Sequence, residues 1–313
     1  MSRPVLRLGT RKSPMAMAQS GHVAKLITER TGVGVELVGL TTFGDVTRAN
    51  LPDIGGTGVF ASALRESLLA GDVDLAVHSL KDLPTAAMPG ITLAAVPARD
   101  DPRDALAGRD GAKLADLPPG AMIGTGSPRR AAQLLLMRPD VRPVAVRGNA
   151  GTRLGKVISG EVDAVVLAYA GLARIGELDR VSQVFEPDDM LPAPGQGALA
   201  VECRTEDRAM ADLLALADDP ASRAAVTAER TVLAELQAGC SAPVGAYAAG
   251  TGVLHLTAIV VAEDGGRAVR ARLSGPPSRA EGLGRAVAAE LLRQGAGTIV
   301  AGPAATNFGD DAQ

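Results

Sequence analysis

The sequence holds no tryptophan, and aromatic residues make up only 2% of its 313 positions. The stacking platforms on which proteins lay unpaired nucleic-acid bases have no material here. Only two cysteines occur, Cys203 and Cys240, too few for a disulfide scaffold in a chain this long. Each is expected as a free thiol or as something chemically special. The three histidines, His22, His78 and His255, stand far apart, and no spacing sets two on one helical face or beside a cysteine pair. No metal centre is expected. Net charge is −3 without any block of five or more Lys/Arg, so the electrostatic footprint of a nucleic-acid or membrane-surface binder is missing. No apolar run reaches the length that spans a bilayer, and the N-terminal MSRPVLRLGTRKSP lacks a secretory apolar core. The expected compartment is the cytoplasm.

What is present reads as globular α/β material: 46% of the residues are hydrophobic and 21% charged, enough for two or three domains with separate cores. Short apolar runs alternate with helical patterns, the signature of largely buried strands. Val5 to Leu8 reads as a strand, Gly9-Thr10-Arg11-Lys12 as a turn, and Ser13-Pro14 as N-cap and first helical residue. The same grammar returns where Ala121 to Ile123 leads through Gly124-Thr125-Gly126 to Ser127-Pro128 and a helix with Arg129 and Arg130 in its first turn. Residues 71–77 and 160–166 echo each other as helix stop and buried strand, which supports two similar halves. Proline, glycine and charge interrupt the rhythm in ARDDPRD (98–104) and LPAPGQG (191–197), which are expected to be hinges. Beyond Asp218-Asp219-Pro220 the pattern predicts a helix from about Ser222 to Leu236, strands over Val244–Tyr247 and Leu254–Val261, and a helix over Ala280–Arg293. That is a smaller α+β domain. Two hinged lobes usually hold a ligand between them.

Both Ser-Pro turns set free backbone N–H groups and a positive helix end beside arginine, an arrangement that accepts anions. Arg11, Arg129 and Arg130 are the residues concerned. The guanidinium fork meets a carboxylate bidentately, which a lysine does not do. Any one of these arginines alone reads more readily as a solvated helix-terminal charge. Two adjacent arginines opposing a macrodipole, however, call for an anion. VRGNAGTRLGKVISG adds a third such turn, with Arg147 at a strand end and Thr152 and Arg153 opening a helix, and Arg174 follows a further buried strand in LAYAGLARIG. In DLAVHSLKDLPT, Lys81 and Asp82 fall on a loop at the carboxyl end of a sheet, where α/β proteins bind ligands. They read either as a structural ion pair or as a proton-handling carboxylate that steadies a cation among the arginines. Cys240 sits on a loop between Gly239 and Pro243, with small neighbours around its sulfur and no histidine nearby. An inert buried thiol is the ordinary alternative there, and the expected state of Cys203 within ALAVECR. GGTGVF (55–60) lacks the spacing and ending of a Walker loop and is expected to be a flexible loop.

Taken in order, GTRKSP, HSLKDLP, DDPRDAL, GTGSPRR, RGNAGTRL, LPAPGQGA and AGCSAPVG resemble the motifs of the porphobilinogen deaminase family. The resemblance implies an α/β fold of two periplasmic-binding-protein-like lobes plus a smaller C-terminal α+β domain. Lobe 1 would comprise residues 1–98 and 198–216, lobe 2 residues 103–192, and the third domain residues 220–313. It implies an enzyme that condenses four molecules of porphobilinogen onto a dipyrromethane cofactor, releasing ammonia and the linear tetrapyrrole hydroxymethylbilane. Cys240 would carry that cofactor through a thioether. Asp82 would protonate the departing amine, stabilise the azafulvene cation and help remove the ring proton. Cofactor contacts would fall to Ser13, Asp45 of TTFGDV, Lys81, Thr125, Ser127, Arg129, Arg130 and Arg147, and substrate contacts to Arg11, Arg153 and Arg174. The resemblance also implies a monomer. Phe43, Thr57 and Gly126 depart from the family's usual residues, which bears on loop closure and one cofactor hydrogen bond. A non-catalytic two-lobed binder of a small carboxylate is the competing reading. It leaves Cys240 and the third domain without a role.

Overall fold

The computed structural model describes residues 5–40, 58–238 and 242–300. The first βα unit forms, but its strand runs on through Gly9-Thr10-Arg11, which were expected as a turn, because these residues continue the parallel pairing with the next strand. Strand β1 (Leu6–Arg11) is buried along most of its length, and Ser13 then caps helix α1 (Pro14–Thr31) by accepting a hydrogen bond from the Ala16 N–H. Pro14 fixes the first helical residue, and Gly32, left-handed at φ 70°, ends the helix. The chain continues through β2 (Val35–Leu40), α2 (Gly58–Ala70), β3 (Leu75–Ser79) and β4 (Ile91–Ala95). The last three residues of GGTGVF thus open a helix rather than close a loop, while residues 55–57 lie outside the described set.

The chain then crosses over and builds a second unit: β5 (Asp104–Gly108), β6 (Met122–Gly124), α3 (Pro128–Met137), β7 (Arg142–Val144), α4 (Ala150–Ile158), β8 (Ala164–Ala168), α5 (Tyr169–Arg174) and β9 (Gln183–Val184). It returns as β10 (Leu199–Arg204). One sheet runs β2-β1-β3-β10-β4 and the other β7-β6-β8-β5-β9. In each, the first three strands are parallel and the fourth antiparallel. The fourth strand is in both cases the one that arrives from the other lobe. The echo between residues 71–77 and 160–166 therefore marks a true structural repeat. The two crossing segments touch, with the Asp100 N–H donating to the Gly197 carbonyl at 3.4 Å.

Helix α6 (Arg208–Ala215) leads to the third domain, where α7 (Pro220–Glu235) and α8 (Ala280–Arg293) pack on the antiparallel sheet β11-β12-β13 (Val244–Ala249, Leu254–Val261, Ala268–Gly275). A short helix, α9 (Ala296–Val300), follows. Val232, Leu256, Val287 and Leu291 belong to its core. Asp219 caps α7 through the Ser222 N–H, so that helix begins at Pro220, ahead of the expected Ser222. Among the described residues no helix is long and apolar enough to cross a membrane.

Glu229, on the face of α7 that also buries Ala225, Val226, Val232 and Leu233, is fully buried. Its carboxylate accepts from Arg99 at 2.6 and 3.0 Å, from the Gly195 N–H at 2.7 Å and from the Ala248 N–H at 2.8 Å. One acid thereby fastens both crossing segments to the third domain. Glu229→Ala would strand a guanidinium whose side chain is only 8% exposed, and loss of a buried partner costs about 3–5 kcal/mol. The thermal and urea midpoints of this variant are expected to fall well below wild type; equal midpoints would show that the acid holds nothing.

Candidate active site

Several of the site residues expected from sequence lie at the carboxyl ends of the parallel strands, the edge where open α/β sheets bind ligands. Arg11 ends β1, Lys81 and Asp82 follow β3 on a single 3-10 turn, and Thr125 to Arg130 follow β6. The lobes meet beside this edge, where α1 packs against α5 and the Met15 methyl lies 3.5 Å from where a Cβ on Gly171 would sit.

At the centre stands Asp104, the first residue of β5, with no exposed surface. Its carboxylate takes Arg129 Nη1 at 2.8 Å on one oxygen, and Arg130 Nη2 at 2.8 Å and Gln196 Nε2 at 2.9 Å on the other. Burial alone would raise its pKa. The two guanidiniums and the hydrogen bonds from Arg129 and Gln196 outweigh that and hold it at about 2. Its contribution to stability is therefore complete above the ordinary carboxylate range near 3.8 and is lost as pH falls through about 2. Gln196, on the returning crossover, links the lobes: its Oε1 accepts from Lys81 of the first lobe and Arg130 of the second, each at 3.3 Å.

Among the described residues, cations outnumber anions in this space. Desolvation, reinforced by Arg130 and Arg129, lowers the Lys81 ammonium to about 8 against the opposing pull of Asp82 and Asp104. Burial and the neighbouring Arg130 also lower the Arg129 and Arg153 guanidiniums from their usual range. Arg129 donates to the Leu191 carbonyl at 2.6 Å, yet its buried Nε meets no hydrogen-bond partner among the described residues. Like charges taken out of water with one carboxylate between them are costly, and a ligand bearing several carboxylates relieves that cost. The residues present thus fit a polycarboxylate cofactor.

The other expected residues divide. Thr125 is buried and accepts from the Ser127 N–H at 3.2 Å, shaping the turn, while the Ser127 hydroxyl makes no capping bond to α3. Arg153 is partly buried and donates to the Gly148 carbonyl at 2.9 Å. Its helix is capped by Asn149 and starts at Ala150, ahead of the expected Thr152. A Cβ on Gly126 would lie 3.2 Å from the Val146 carbonyl oxygen and 3.8 Å from Arg153 Nη2, so even a small side chain there would sit tightly beside that guanidinium. Arg147 is exposed on the loop before α4. Arg174 is engaged by Asp100 at 2.7 Å and by the Gly197 carbonyl at 2.8 Å, both on the crossing segments. Cys203 is buried in β10, as expected of an inert thiol. Cys240, Asp45, Phe43 and Thr57 lie outside the described residues; Ala238 and Ala242, on either side of Cys240, pack against the third domain's core.

Residues 6–212 match the family model described as "Porphobilinogen deaminase, dipyromethane cofactor binding domain", and residues 223–293 match that family's C-terminal domain. The chain belongs to the porphobilinogen deaminase family. A porphobilinogen deaminase of Thermobifida fusca is 61% identical, the alignment covering 97% of this chain and 98% of that protein. Porphobilinogen deaminase 1 of Streptomyces coelicolor is 52% identical over 96% of this chain and 98% of its own. A periplasmic substrate-binding protein of an ABC transporter from Coxiella burnetii aligns with TM-score 0.42 and 16% identity, over 70% of this chain and 94% of that one. The cofactor-binding match of the porphobilinogen deaminase family takes in Lys81, Asp104, Arg129, Arg130, Arg153 and Gln196, the whole of the cationic cluster.

Asp104 and Gln196 lie within motifs typical of the sequence pattern, yet reading the sequence alone missed both. An acid opening an apolar strand and an amide in a Pro/Gly-rich stretch carry no local mark of their partners.

Lys81 loses its charge as pH rises through about 8. Affinity for a small polycarboxylate is therefore expected to drop between pH 7 and pH 9, roughly the span of that titration, and Lys81→Met is expected to remove the drop. Titration calorimetry checks this; an affinity in the wild-type protein that is flat across that span would exclude the lysine from the binding face.

Proposed function

We propose that the chain is a cytoplasmic, monomeric hydroxymethylbilane synthase, joining four porphobilinogen molecules head to tail on a dipyrromethane held by a thioether to Cys240. The observation that carries this reading is the surplus of desolvated cations, Lys81, Arg129, Arg130 and Arg153, around one buried carboxylate. Acetate and propionate groups on every pyrrole supply the missing negative charge. A pyrrole primer, when bound, supplies a nucleophilic ring carbon.

The residues then take separate duties. Asp82 is exposed at the tip of its turn while its neighbour Lys81 is drawn into the Gln196 network. In its protonated form Asp82 donates to the porphobilinogen amine, so that ammonia departs; as a carboxylate it faces the cation left behind, and it then accepts the ring proton lost after coupling. Release would follow by hydrolysis: the bond between the chain's first methylene and the primer would break, the methylene taking the hydroxyl of water and the vacated ring carbon its proton. Arg129, Arg130, Arg147, Lys81, Ser13, Asp45, Thr125 and Ser127 would hold the primer, and Arg11, Arg153 and Arg174 the incoming and growing rings. Arg174 would exchange Asp100 for a carboxylate as the crossing segments shift.

Intact mass of the purified protein is expected to exceed the polypeptide by a dipyrromethane, and Cys240→Ala to lack that increment. Asp82→Asn is expected to keep the increment but to lose turnover by about a hundredfold or more, since an amide carries no transferable proton. An unmodified wild-type protein with full activity would sink the first expectation, and wild-type rates in Asp82→Asn the second.

A further inference from the structure

The turn that bears Asp82 is gripped from outside its own lobe. Leu80 and Leu83, the residues flanking Lys81 and Asp82, are buried in a cluster that includes Val226 of α7. One turn further along the same helix face, Arg230 Nη1 donates to the carbonyls of Leu80 at 3.1 Å and Leu83 at 2.9 Å, and Nη2 to that of Pro84 at 2.6 Å. The Leu80 carbonyl also closes the turn by accepting from the Leu83 N–H at 3.2 Å. Thus one third-domain guanidinium holds three backbone acceptors, one before and two after Asp82. A planar fork fixes such a set in orientation as well as distance, which an apolar contact alone does not. The same helix runs on into the segment that carries Cys240.

We infer that Arg230 is a positioning residue for Asp82, setting the catalytic turn in register with the domain that carries the cofactor cysteine. This rests on the role of Asp82 proposed above. Arg230 donates to the backbone of the turn, and it acts by keeping the Asp82 carboxylate aimed while successive rings pass. Displacement of a catalytic group by about 1 Å can cost up to about a hundredfold in rate. A loosened turn should therefore lower kcat rather than binding.

The test uses holoenzyme. Arg230→Met is expected to lower kcat about tenfold to a hundredfold, with KM for porphobilinogen within about twofold and the cofactor mass increment retained. Arg230→Lys, which keeps a donor but not the fork, should recover part of kcat. In an Asp82→Asn background, Arg230→Met should cost nothing more, because its only route to the chemistry has been removed. A wild-type kcat in Arg230→Met, loss of the mass increment, or an equal further loss in the Asp82→Asn background would each overturn the positioning role. If Arg230→Met does not fold, the same cycle with Arg230→Lys decides the matter. Wild-type turnover in Asp82→Asn alone would instead strike the reading of Asp82, so the two failures are distinguishable.

Discussion

The cleft depends on one buried carboxylate. Arg129 and Arg130 are held in the first turn of α3, where the helix dipole repels positive charge, and both are almost wholly removed from water. Desolvating each ion costs several kcal/mol unless a counter-charge meets it in good geometry. Asp104 supplies that charge, and Gln196 satisfies one of its oxygens while reaching Lys81. The acid stays ionised down to about pH 2, so the pairing persists under any physiological condition. It nevertheless leaves the cluster short of negative charge. That is the condition a polyanion site must meet before its ligand arrives: charged enough to bind, neutralised enough to fold.

The crossing segments repeat the device. Glu229 gathers Arg99 and two backbone N–H groups, while Arg99 Nε and Arg174 Nη2 grip the carbonyls of Gln196 and Gly197. The segments that join the lobes are thus restrained by ion pairs and backbone acceptors rather than by a continuous apolar core. Such contacts exchange partners at low cost when a competing carboxylate appears, whereas packed side chains do not deform gradually. The third domain shares in both restraints, through Glu229 to the crossings and through Arg230 to the Asp82 turn.

Much of this architecture was legible because it is local. Both Ser-Pro pairs start helices, Ser13 with a capping bond and Ser127 without one, and the strand over Leu254–Val261 and helix over Ala280–Arg293 have the bounds that periodicity gave them. Cys203 is the buried strand thiol it was expected to be. What stayed hidden is long-range pairing. Nothing local in the sequence singles out Glu229, Asp104 or Arg230; only the fold brings each to its partner. The register of the fourth strands was equally silent, since a strand that crosses from the other lobe leaves no trace in its own residues. The helical start at Gly58 was missed because glycine-rich spacing imitates a loop.

The division between Lys81 and Asp82 follows from these constraints. They are neighbours in sequence on one short turn, yet the ammonium joins the buried network and the carboxylate stays exposed. Had the acid also been drawn in, its oxygen lone pairs would be committed to the arginines, as those of Asp104 are, and it could not take up or pass on a proton. An internal acid that pairs with Arg129 and Arg130 therefore leaves Asp82 out of that network and exposed. The turn must then be rigid without using the carboxylate itself as an anchor, and its backbone carbonyls are the remaining handles. Arg230 takes hold of just those groups.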